Sequence, residues 1–84
     1  MKAGDWVKQV QSDSITYAYL IEPFKSGGFR SVSFTSYDGS MAGHAKFSPT
    51  KNWFPQPIVI SREEIPERIL RKIDHKLTLT RYMR

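Results

Sequence analysis

The chain has 84 residues, 13 basic and 8 acidic side chains, a net charge of +5 and no cysteine. That length allows one domain, residues 1–84, and no second core. The missing thiols exclude disulfides, thiolate metal sites and cysteine nucleophiles.

No apolar run approaches the ~18 residues of a membrane-spanning helix. The opening Met1-Lys2-Ala3-Gly4-Asp5-Trp6 lacks the apolar stretch of a signal peptide. A cytoplasmic protein without a membrane partner is therefore expected. The charge is unevenly spread: residues 68–84 hold six cations (Arg68, Arg71, Lys72, Lys76, Arg81, Arg84) against Asp74 alone.

In chain order, residues 5–10 (DWVKQV) predict a short strand, with Trp6 in the core, closed by the turn-forming Gln11-Ser12-Asp13-Ser14. Residues 15–22 predict the clearest strand. Ile15, Tyr17, Tyr19 and Ile21 share one face, and Thr16, Ala18, Leu20 and Glu22 the other. Apolar groups on both faces imply a central strand covered on each side, or a closed small barrel. Pro23 stops it, and Lys25-Ser26-Gly27-Gly28 reverses the chain.

Residues 29–37 predict a third strand, with Val32 and Phe34 on one face and Phe29, Ser31, Ser33, Thr35 and Tyr37 on the other. Asp38-Gly39 suits a type I′ hairpin turn, whose positive φ costs glycine nothing. A fourth strand over 41–47, weakened by Gly43, is expected to pair back. Residues 48–57 (SPTKNWFPQP) hold three prolines and predict a loop. Ile58-Val59-Ile60 reads as a short strand.

Ser61-Arg62-Glu63-Glu64 fits a capping box. Pro66 then requires either a single bent turn at 62–65 or a main helix beginning at Pro66. The second is favoured, with a helix over 65–76. Its stripe of Ile65, Ile69, Leu70, Ile73 and Leu77 spans an arc of about 140° and packs on the sheet. The alternation in 77–82 suggests an edge strand or a basic tail. The resulting fold is α+β: a curved antiparallel sheet or SH3-like barrel of four or five strands, with one C-terminal amphipathic helix.

Arg68, Arg71, Lys72 and His75 fall on one helical arc, and Lys76 and Arg81 continue the positive charge. This suits phosphate contacts, which supply affinity without sequence information. It equally suits a solvated face, since Glu64–Arg68 and Glu67–Arg71 form i, i+4 pairs. Trp53 and Phe54, beside Lys51 in the proline-rich loop, offer a stacking platform for unpaired bases, an anchor for a protein partner, or a lid on the core. Tyr17, Tyr19, Phe29 and Tyr37 pose the same choice between a base-reading face and core, near Lys8, Arg30 and Lys46.

Catalysis draws little from the chain. His44 and His75 have no metal-site spacing, no phosphate-loop or nucleophile-elbow pattern occurs, and no cofactor is expected. Two resemblances remain. Asp38-Gly39-Ser40 followed by His44 resembles the Gly-Ser-His segment of small HicA-type RNase toxins. Here His44 is displaced from the Gly-Ser pair, and that family's N-terminal helix is missing. Gly4-Asp5-Trp6-Val7 resembles the first strand of SH3-like barrels, which implies a fold and no function.

The leading expectation is a nucleic-acid-binding module without enzymatic activity, using Arg68, Arg71, Lys72, Lys76, Arg81 and Lys51 on phosphates and Trp53 or Phe54 on bases. The runner-up is a protein-interaction module, an inhibitor or adaptor of the kind small mobile-element genes encode, facing an acidic surface. An RNase relying on His44 is the remote third.

Overall fold

The computed structural model describes residues 1–50 and 56–80. Five strands, β1 (Trp6–Val10), β2 (Ser14–Pro23), β3 (Phe29–Tyr37), β4 (Lys46–Pro49) and β5 (Ile58–Ile60), form one antiparallel sheet in the order β4-β3-β2-β1-β5. A 3₁₀ turn over Arg62–Glu64 leads to the helix α1 (Glu67–Thr80). The sheet is open, with β4 and β5 at its edges. Of the two expected forms, a sheet rather than a closed barrel is the one adopted.

The period-2 pattern of β2 places it at the centre. Trp6, Tyr19, Val32 and Phe47 form one cross-strand row, and Lys8, Tyr17 and Phe34 the next, on the side facing α1. Ile65, Ile69, Ile73 and Leu77 from the helical stripe are at most 5% exposed. Each such side chain contributes on the order of 1.5–3 kcal/mol of transfer free energy, so the helix is integral to the fold.

The opposite face holds a smaller apolar cluster of Val7, Ala18 and Leu20, with Phe29 packed against it. Around it the residues are small and hydroxylated, and the hydroxyls satisfy one another. Ser31 Oγ donates to Ser48 O at 2.7 Å, Ser33 Oγ lies 2.9 Å from Ser48 Oγ, and Thr16 Oγ1 lies 2.9 Å from Thr35 Oγ1. A register shift between Leu20 and Glu22 interrupts the β2–β3 ladder where β2 leaves this cluster.

Tyr17, Tyr19, Phe29 and Tyr37 therefore do not form one ring-bearing face. Tyr17 and Tyr19 lie under the helix, Phe29 lies on the far side, and Tyr37 is exposed at the strand end. The reason is the pairing register, which sets Tyr17 opposite Phe34 and Tyr19 opposite Val32. Burial in this apolar layer raises the Tyr17 phenol above its ordinary pKa, and the charge on Glu64 raises it further.

Several expected boundaries shift. Asp38 (φ 51°) and Gly39 (φ 78°) adopt the positive-φ turn, closed by Ser40 N–H to Tyr37 O at 2.9 Å. No tight hairpin follows, because β4 begins only at Lys46, opposite Ser33, and runs into the proline-rich segment as far as Pro49. Residues 40–45 instead form an irregular connection, turned by Gly43 at φ 103°. At an edge, Pro49 need not donate to a ladder, so proline does not exclude a strand there.

The approach to the helix combines both expected solutions. Glu64 accepts the Ser61 N–H at 3.3 Å in a short 3₁₀ turn, and the main helix then starts afresh, with Pro66 O accepting from Leu70 N–H at 2.9 Å. The helix also runs on to Thr80 rather than stopping at 76. Leu77 explains the extension: it stands four residues after Ile73 and is wholly buried, so packing overrides the local alternation.

Candidate functional site

Four of the eight residues expected to bind nucleic acid, Lys51, Trp53, Phe54 and Arg81, lie outside the described residues. The other four occupy α1, and their surroundings differ. Arg71 Nη2 pairs with Glu67 Oε1 at 2.8 Å, with both side chains about three-quarters exposed. Such an i, i+4 pair is worth about 0.3–0.5 kcal/mol, so solvent or a ligand readily competes for Arg71.

The expected Glu64–Arg68 pair is not formed among the described residues. The Glu64 carboxylate is turned to the Ser61 N–H, and Arg68 is exposed and joins no salt bridge among the described residues. Lys72 has a structural task as well as its charge. Its Nζ donates to Gly43 O at 2.6 Å and stands 5.2 Å from the Phe34 ring centroid. Lys76 Nζ stands 5.4 Å from the Phe47 ring centroid.

The Lys72–Gly43 hydrogen bond ties the 40–45 connection to the helix and builds a cleft between them. Its walls are His44, Ala45, Lys72, His75, Lys76 and Leu79. Both histidines of the chain meet here, with two lysines and no carboxylate. Arg68 lies on the same helical arc, one turn before Lys72. The acids of α1 point elsewhere: Glu67 holds Arg71, and Asp74 holds Arg62 at 2.7 Å. This separation leaves a surface on which positive potential accumulates instead of cancelling.

A second cleft opens on the β3–β4 edge. Phe24, Arg30, Phe47, Ser48 and Pro49 line it, and Arg30 is paired there with Glu22 at 3.4 Å. This cleft is apolar and electrically balanced, whereas the first is cationic. Local sequence patterns do not announce either one, because each joins segments distant along the chain. The available signal was the proximity of His44 and Lys46 to a flexible Gly43, opposite a helix rich in cations.

Among the described residues, no three His, Cys, Asp or Glu side chains converge as a metal site, and no helix is long and apolar enough to cross a membrane. His44, on which the RNase resemblance rests, is an exposed wall of the cationic cleft. Comparison with family models, curated proteins and solved structures yields no match, so the reading rests on the residues themselves.

Proposed function

We propose that this protein is a small cytoplasmic nucleic-acid-binding module that grips the phosphate backbone with α1 and the connection before β4. The observation that carries this reading is the carboxylate-free cleft in which His44, Lys72, His75 and Lys76 converge. Phosphate oxygens are acceptors only, so a wall of N–H donors without competing anions suits them. Arg68 and Arg71 extend the contact toward the helix start, and Arg71 exchanges Glu67 for phosphate at little cost.

The remaining energetics are counterion release. Four contacts from Arg68, Arg71, Lys72 and Lys76 give a slope of about −3 in log affinity against log salt. Fluorescence anisotropy with a labelled oligonucleotide between about 50 and 200 mM salt reads that slope directly. Failure to bind either DNA or RNA at the lower salt rejects the proposal. Equal affinity for polyglutamate would assign the same surface to an acidic protein partner.

A further inference from the structure

The two clefts adjoin at one pair of side chains. Lys76 is a wall of the cationic cleft, and its ammonium sits 5.4 Å from the centroid of Phe47, a wall of the apolar one. Phe47 is 40% exposed on the edge strand β4, and Phe24, the residue after β2, lines the same space. A phosphate held at Lys76 therefore carries its own base to the Phe24–Phe47 cleft. Arg30 adds no net positive charge there, since Glu22 pairs with it at 3.4 Å. The second cleft thus suits an uncharged planar ring better than a second phosphate.

Building on the phosphate reading above, we infer that the ligand is a single strand, with an unpaired base stacked in the cleft between Phe24 and Phe47. In a duplex, base faces are covered by their neighbours, and an edge-strand phenylalanine has no face to stack on. An unpaired strand offers each base as a π-surface beside its phosphate. Basic grooves flanked by aromatic rings bind that form without needing sequence. The arrangement also makes Lys76 the joint between the two subsites: its charge serves the phosphate while its position against the ring orders Phe47.

The test compares labelled single-stranded oligonucleotides of about 12 nucleotides with a hairpin duplex of the same sequence, for the wild-type chain and for Phe47→Ala, Phe24→Ala and Phe47→Tyr. The expected result is tighter single-strand binding, weakened roughly 5- to 100-fold by either alanine and restored by tyrosine, with duplex affinity unchanged. Circular dichroism melting of each variant separates lost stacking from lost fold. Equal affinity for strand and duplex, or equal loss on both in Phe47→Ala, overturns the stacking inference while leaving the phosphate reading in place. Absence of binding to either probe by the wild-type chain overturns both.

Discussion

Arg62, in the turn before α1, reaches to Asp74 in the second half of the helix, with Nη2 2.7 Å from Oδ2. The same guanidinium stands 5.9 Å from the Trp6 ring centroid, so one side chain joins the turn, the helix and the first strand. The other carboxylate oxygen, Asp74 Oδ1, is buried without a hydrogen-bond partner among the described residues. The pair therefore does more than decorate a surface. It supplies the partner that keeps a half-buried carboxylate compensated, and it ties the turn to the helix.

Arg62→Ala removes this ion pair and the contact with Trp6, and it leaves Asp74 without its cation. Discounting for the half-exposed guanidinium, the expected loss is about 1–2 kcal/mol, larger than for an ordinary surface pair. For a domain of this size that is a fall in Tm of several degrees, roughly 4–8 °C per kcal/mol. Thermal melting by circular dichroism checks it. Arg71→Ala, which breaks the more exposed Glu67 pair, is the control and should move Tm by less than about 0.5 kcal/mol in equivalent stability.

What the sequence makes legible follows from short-range periodicity. The alternation in β2, the three-to-four-residue recurrence from Ile65 to Leu77 and the burial of Trp6 all appear in the structure, because each encodes a face that must leave water. The end of the helix is misread because Leu77-Thr78-Leu79-Thr80 alternates locally while Leu77 answers to Ile73 one turn earlier. The cationic cleft is harder still. His44 reaches it through a connection held by a hydrogen bond between Lys72 and Gly43, residues that no local pattern relates. The same holds for Phe24 and Phe47, which line one cleft because β4 pairs with β3 near the end of β2, a long-range pairing that no local pattern gives.

That hydrogen bond divides the cations by task. Lys72→Ala should weaken oligonucleotide binding and lower Tm together, since it removes a charge and frees the connection that carries His44. Arg68→Ala should weaken binding and leave Tm nearly unchanged, because the exposed guanidinium joins no salt bridge among the described residues. Losing one phosphate contact should also make the salt slope shallower by about 0.7–0.9 in each variant. Anisotropy and melting on the same two proteins check this. An Arg68→Ala protein with full affinity and an unchanged slope would remove Arg68 from the interface.

Tyr17 gives a pH dependence with a definite sign. Its phenol is raised above the ordinary value of about 10, first by burial under the helix and then by Glu64. Burial disfavours the phenolate, so the folded chain holds the proton where the unfolded chain releases it. The linked stability is fully present below the ordinary tyrosine range and is lost as pH rises through the higher folded value. Stability measured by urea unfolding should therefore fall on the alkaline side of about pH 10. Tyr17→Phe keeps the ring between Trp6 and Phe34's layers while deleting the ionisable group, so its alkaline decline should be distinctly shallower. Identical alkaline profiles for Tyr17→Phe and the parent would show that the buried phenol does not control the transition.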